Sequence, residues 1–326
     1  MIPIIAFFGN RGGAADTTLV YHLAWKLADL GLHVLTADLD PRANLTEEFL
    51  DDDDLERIWG EPPVPTVFGS LMPLIRGNGD VAKTPLRSID PYLDLLPGDI
   101  GLSSIEDELS AQWTHCLAGR GRAFRVSSAF WRLLQRAADG SGAQVILADL
   151  GPNLGVINRA ALIAADFIVV SLTPDFTSLH GLRNLGQSIR KWRAEWKTRL
   201  EKSSELSLDL PAGDMKPAGY VVLQYPMRLD RPVREYSKWM ERIPHEFARS
   251  VIGTQYAAGN GADPSRLASL KHYGSLITTA QEVRKPIFHL KPADGAVGAH
   301  LTAANSAGNE FGALARELMF RAGLKL

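Results

Sequence analysis

An apolar run from Ile2 to Phe8 gives way to Gly9-Asn10-Arg11-Gly12-Gly13-Ala14-Ala15-Asp16-Thr17-Thr18, and an apolar-periodic segment from Leu19 to Leu30 follows. A short continuous apolar run closed by glycine reads as a buried strand, and apolar spacing by threes and fours reads as a helix. A strand, a glycine turn and a helix opening on two threonines is the arrangement of a phosphate-binding loop. Glycines let backbone N–H groups converge on an anion at the positive end of the helix, and a hydroxyl in its first turn can hold Mg²⁺. Asp16 departs from that arrangement. It stands directly before the Thr17 hydroxyl, where such a loop places the lysine that meets the phosphates.

The rest of the chain repeats the alternation. His33 to Ala37 reads as a second strand, with Gly31 as the cap of the preceding helix, and it delivers Asp38-Leu39-Asp40-Pro41 to its carboxyl end. Acidic side chains there sit where open α/β sheets bind ligands, although two aspartates before a proline are also ordinary turn chemistry. Tyr92 to Leu96, Gln144 to Asp149, Phe167 to Leu172 and Gly219 to Gln224 read as further strands. Asp149 closes its strand as Asp38 closes the second, a common place for a carboxylate that reaches Mg²⁺ through water. Helices are expected over Ile105–Trp113, Phe124–Ala138, Asn158–Ala165, Glu235–Phe247 with an interruption at Pro244, and Phe311–Leu324. Strands alternating with helices predict an α/β fold, a mainly parallel twisted sheet with helices on both faces.

Residues 1–326 are read as a single domain with a surface insertion around 51–87 and a C-terminal helical region around 230–326. In the insertion, Asp51-Asp52-Asp53-Asp54 lacks the alternating ligands, glycine and closing glutamate of a calcium loop, so it reads as a solvated acidic run. Prolines at 62, 63 and 65 and the Gly77-Asn78-Gly79 turn mark loops around a short helix. Ser203 to Lys216 and Gly253 to Pro264 read as loops.

A long helix from Ser178 carries the apolar stripe Leu179, Leu182, Leu185, Ile189, Trp192, Trp196 and Leu200. Arg183, Arg190, Lys191, Arg193, Lys197 and Arg199 lie off the stripe. Of these, Arg190, Lys191, Arg193 and Lys197 form the candidate DNA-binding patch, because clustered cations are the electrostatic footprint such binding needs. The competing reading is a solvated face whose long stems cover apolar surface.

Composition narrows the function classes. The net charge of −2 gives no bulk attraction to nucleic acid, so any such role needs a local patch. Cys116 is the single cysteine, which excludes a disulfide framework and a cysteine metal site and fits a reducing compartment. The opening apolar run is too short for a signal peptide or membrane span, and no later run approaches the roughly 18 apolar residues of a span, so a cytoplasmic protein is expected. The glycine spacing is not that of a dinucleotide fingerprint, and neither a nucleophile elbow nor a helical zinc-binding histidine pair is present.

Taken together the motifs resemble the ParA/MinD/Soj family of deviant-Walker P-loop ATPases, which position plasmids, chromosomes, septum regulators and other cargo. Arg11-Gly12-Gly13-Ala14-Ala15-Asp16-Thr17-Thr18 stands in the frame of the family's Lys-Gly-Gly-x-Gly-Lys-Thr-Thr loop, and Asp38-Leu39-Asp40-Pro41-Arg42-Ala43-Asn44-Leu45 in that of its D-x-D-P-Q-x-N segment. Tyr92 to Gly98, Asp149-Leu150-Gly151-Pro152, Pro174 to Leu182 and Glu282 to Pro286 are similar to further family stretches. The resemblance implies ATP and Mg²⁺ as cofactors, with Arg11 to Thr18 as the nucleotide loop. It implies Thr17 and Asp149 as the Mg²⁺ contacts, and Asp40 as the carboxylate that polarises the attacking water. A homodimer, non-specific DNA and a protein partner are the implied partners.

Two departures bear on activity. Ala15 adds a Cβ where the family has a glycine folded round the phosphate. Asp16 replaces attraction by repulsion. A unit charge pair at 4 Å is worth about 4 kcal/mol at an effective dielectric of 20, so the exchange costs on the order of 8 kcal/mol, comparable with the whole binding free energy of a micromolar ligand. The expectation is therefore a ParA-like pseudo-ATPase or disabled variant that acts through partner or DNA binding. The alternative is an active ATP-dependent dimerising partition ATPase.

Overall fold

The computed structural model describes residues 1–9, 14–60, 64–83, 86–204, 207–225, 227–228, 231–232, 234–256 and 263–326. In chain order the first half runs β1 (Ile4–Gly9), α1 (Ala14–Asp29), β2 (Val34–Asp38), α2 (Asn44–Phe49), α3 (Asp52–Trp59), α4 (Val67–Ile75), β3 (Arg87–Asp90), β4 (Leu93–Leu96), α5 (Glu106–His115), α6 (Gly121–Ser127), α7 (Ala129–Ser141) and β5 (Val145–Asp149). It continues with α8 (Val156–Ala164), β6 (Phe167–Leu172), α9 (Phe176–Leu200), β7 (Lys216–Tyr225), a short hairpin of β8 (Met227–Arg228) and β9 (Arg231–Pro232), α10 (Arg234–Phe247), β10 (Arg266–Lys271), α11 (Ser275–Glu282) and α12 (Ala299–Arg321).

Eight strands form one sheet in the order β10-β7-β6-β1-β5-β2-β4-β3. All neighbours are parallel except β3, which pairs antiparallel with β4 at the edge. The central strand β1 reads Ile-Ile-Ala-Phe-Phe-Gly and is buried along its whole length, as a parallel strand covered on both faces must be. Its alternate residues serve two cores. Ile4, Ala6 and Phe8 pack with residues of α7, α8 and α9 on one face, and Ile5 and Phe7 with residues of α1 and α12 on the other. The edge strand β3 carries Arg87, Ser88 and Asp90, polar side chains that blunt a sheet edge.

Register places the chemistry. Asp38 at the end of β2 stands opposite Asp149 at the end of β5, Phe7 of β1 opposite Asp149, and Gly9 opposite Ser171 of β6. The ends of β2, β5, β1 and β6 therefore meet in one mouth. The apolar periodicity of α1 turns Leu19, Val20, Leu23, Ala24 and Leu27 onto the sheet, which aims its first turn at that mouth. His22, fully enclosed, ties this helix to the C-terminal segment: Nδ1 donates to the Thr18 carbonyl at 2.8 Å, and Nε2 accepts from the Ile287 N–H at 3.0 Å. Burial depresses its pKa to about 4, consistent with a neutral ring.

Several boundaries differ from the sequence reading. The terminal helix starts at Ala299 rather than Phe311, because Ala304 and Ala307 are buried and extend the packed stripe. The helix expected over Phe124–Ala138 is two helices divided at Ser128, whose Oγ donates to the Phe124 carbonyl. Pro244 does not interrupt α10; the buried Ile243 and Phe247 on either side hold the helix on its course. Asp51 to Asp53 are exposed, as a solvated run is, and the run also opens a helix. Asp51 caps α3 by accepting from the Asp54 N–H at 2.8 Å, and the acids that follow lie at the positive helix end. Within the loop expected over Gly253–Pro264, residues 257–262 lie outside the described residues, as do Pro62 and Pro63. Among the described residues no helix is long and apolar enough to cross a membrane.

Candidate functional site at the sheet's carboxyl edge

Of the expected nucleotide loop, Arg11, Gly12 and Gly13 lie outside the described residues, and Ala14 and Ala15 are described as the opening backbone of α1. Asp16 turns inward over the end of β1. Its carboxylate takes the place a Cβ on Gly9 would need, so a side chain at this position would require Asp16 to move. Ser171 Oγ donates to Asp16 Oδ1 at 2.6 Å. Burial raises the Asp16 carboxyl above the usual carboxylate range, and the Ser171 hydrogen bond and the Arg42 charge pull it back in part.

Thr17 and Asp149, expected to share a cation, meet directly: Thr17 Oγ1 donates to Asp149 Oδ2 at 2.8 Å, both side chains buried. Thr18 points elsewhere. Its hydroxyl donates to Glu48 Oε1 at 2.7 Å, on the far side of the first turn. Burial pushes Glu48 up to about 7 against the hydrogen bonds of Thr18 and Gln281.

Asp40 reaches the same mouth from the turn after β2, with Oδ1 3.1 Å from where a Cβ on Gly151 would lie. Both of its oxygens are taken by Arg42. The Arg42 backbone N–H donates to Oδ1 at 3.0 Å, while Nε and Nη2 donate to Oδ2 at 2.9 and 2.6 Å. Asp38, fully enclosed, accepts from the Thr46 N–H at 2.9 Å and the Thr46 hydroxyl at 2.8 Å. It anchors the turn from below. Burial first, and the Asp40 charge in addition, push it up to about 7 despite those hydrogen bonds. Asp149 is raised well above the carboxylate range by burial and then by the carboxyls of Asp38, Asp40 and Asp16.

The mouth thus gathers Asp16, Asp38, Asp40 and Asp149 around a hydroxyl, with one described guanidinium, Arg42, facing them. Among the described residues no group of three or more acidic, histidine or cysteine side chains converges as a metal ion would require. Ser171 and Glu48 were not singled out from the sequence. Ser171 has a readable signal, a lone hydroxyl near the end of an apolar strand; Glu48 has none, since its contact depends on how α2 packs on α1.

The basic helix α9 lies away from the mouth along most of its length. Arg190 donates to the Ser250 carbonyl and Arg193 Nη2 to the Met215 carbonyl at 2.8 Å, while Lys191 and Lys197 are exposed. Arg183 grips Glu246 through Nε and Nη2 at 3.0 and 2.9 Å. Arg199 donates to the Trp113 carbonyl at 2.8 Å and lies 4.0 Å over the Trp113 ring.

Comparison with known proteins agrees with this architecture. A model of the AAA domain family matches residues 2–202. The cell division protein PomZ of Myxococcus xanthus is 28% identical over 56% of this chain and 50% of its own length. The chromosome partitioning protein ParA of Caulobacter vibrioides is 28% identical over 61% of this chain and 67% of its own. The chain thus spans about half of the first relative and two thirds of the second. In fold, a crystal structure of a Corynebacterium diphtheriae protein superposes with a TM-score of 0.74 at 22% identity, covering 98% of this chain and 99% of that one. The sheet order, the strand–loop–helix at its centre and the matched span of sequence lead to one conclusion: the chain belongs to the AAA domain family, in its ParA/MinD group of P-loop ATPases.

Proposed function

We propose that this chain is a ParA-like partition or positioning protein whose phosphate loop carries no ATP cycle, and that it acts by binding a protein partner or DNA. The observation that carries the reading is the seat of Asp16. Its carboxylate rests on Gly9 and Ser171, at the junction of β1 and α1 where phosphates would approach backbone N–H groups. A carboxylate there repels the anion, and the Thr17 hydroxyl and Asp149 satisfy one another. These residues do not suit Mg-ATP.

Isothermal titration calorimetry with Mg-ATP tests the reading. No binding at micromolar nucleotide is expected, whereas micromolar affinity with phosphate release overturns it. One observation favours the alternative of an active dimerising ATPase: Thr17 and Asp149 are in contact and Asp40 reaches the same mouth. That alternative requires sedimentation to change when ATP is added. For DNA, the exposed Lys191 and Lys197 are the remaining candidates on α9, since Arg190 and Arg193 already serve backbone carbonyls.

A further inference from the structure

The mouth poses an electrostatic problem that the fold solves internally. Asp16, Asp38, Asp40 and Asp149 crowd together at its base, and burial without compensation is expensive for carboxylates. Arg42 is the described cation whose charge bears on Asp40, Asp149 and Asp16 together. The turn that carries it is fixed. The Ala43 N–H donates to the Asp40 carbonyl at 2.9 Å, and Ala43 itself, enclosed and non-glycine, takes the left-handed conformation at φ 56°. Such a conformation is strained and persists only where surroundings impose it. Within this turn the Arg42 N–H donates to one oxygen of Asp40 and the guanidinium to the other. The Arg42 side chain remains 43% exposed, with Asp40 beneath it at 3%.

We propose that Arg42 is the resident counter-cation of this site. It is a positioning residue that acts through Asp40: it supplies the positive charge from within the chain, holds both Asp40 oxygens closed, and lets the carboxyls of Asp40, Asp149 and Asp16 coexist without a bound ligand. The inference rests on the reading of a loop without an ATP cycle and explains how such a mouth stays folded.

Thermal unfolding of the ligand-free protein tests it in four forms: native, Arg42→Gln, Asp16→Lys and the double variant. In the native background Arg42→Gln lowers Tm by about 3 °C. In the Asp16→Lys background, where an ammonium now faces the acids, the same change costs less than half as much. Arg42→Lys, which keeps the charge and loses the fork, retains most of the native Tm. Equal losses in both backgrounds, no loss from Arg42→Gln, or an Arg42→Lys variant as unstable as Arg42→Gln each overturn the proposal. Mg-ATP calorimetry on the native protein reports separately on the loop reading, so the two can fail independently.

Discussion

Two charged regions of this molecule reverse between sequence and structure. The acids around Asp38, Asp40 and Asp149 are sparse along the chain, yet register and burial bring them together with Asp16 under a single described guanidinium. The cations of α9 are dense along one helix, yet Arg183, Arg190, Arg193 and Arg199 each find a partner within the chain, three of them backbone carbonyls. A run of like charge along a helix is thus a poor guide to a binding face, because long guanidinium stems reach back to satisfy loops and helix ends. Charges at the ends of buried parallel strands are a better guide. They cannot reach back to water, so their surplus persists as a field in the mouth.

The two regions should differ most clearly in their response to pH. Asp38 is raised to about 7 from an ordinary value of 3.8, so the native state holds a proton there that the unfolded chain has released. Its contribution is fully present below about pH 4 and is lost as pH rises through 7, on the order of 4 kcal/mol. His22, depressed to about 4, works in the opposite direction over an overlapping window. The informative quantity is therefore the difference between native protein and Asp38→Asn in urea titrations at pH 5 and pH 8. The variant is expected to gain stability relative to native as pH rises.

The α9–α10 seam has the reverse sign. At Glu246 burial alone would raise the carboxyl, but hydrogen bonds from Arg183, Ser250 and Arg249 outweigh it and bring the pKa down to about 2. Stability from this group is present above about pH 4.5 and lost as pH falls toward 2. Discounted for the solvent that reaches Arg183 and Arg249, it amounts to about 1–2 kcal/mol. Glu246→Gln should lower stability above pH 6 by that amount and flatten the acid limb of the unfolding curve between pH 4.5 and 3, so that the two proteins converge as pH falls. A smaller effect still is expected from Lys191→Glu with Lys197→Glu, within about 0.5 kcal/mol of native stability because both side chains are exposed. In a gel shift with non-specific duplex, loss of retardation in that variant assigns DNA contact to α9, and unchanged retardation removes α9 from consideration.

Much of the frame was legible because its signals are local. The strands β1, β2, β5 and β6 are short β-rich apolar runs, and their last residues, Gly9, Asp38 and Asp149 among them, announce the mouth. What was hidden depends on distance and on weak pattern. β10, Arg-Leu-Ala-Ser-Leu-Lys, lacks the β-branched residues that mark a strand, and its place comes from pairing with β7. The first part of α12 is alanine-rich with a shallow stripe, so the periodicity marks the helix only from Phe311. In the site, Asp16 was visible as an anomaly. Its perch on Gly9 beside Ser171 was not, since that contact joins residues 155 positions apart. The grip of Arg42 on Asp40 is close in sequence, yet nothing in the run Asp38-Leu39-Asp40-Pro41-Arg42 says which of the two aspartates the guanidinium takes.

The central claim, that the carboxylate at position 16 closes the loop to nucleotide, is tested most directly by titrating Mg-ATP into the native protein and into Ala15→Gly with Asp16→Lys under identical conditions. No heat of binding is expected for the native protein at micromolar nucleotide, and measurable binding for the double variant, because Thr17, Asp40 and Asp149 are in place. Micromolar binding to the native protein, with Asp16 as it stands, would contradict it.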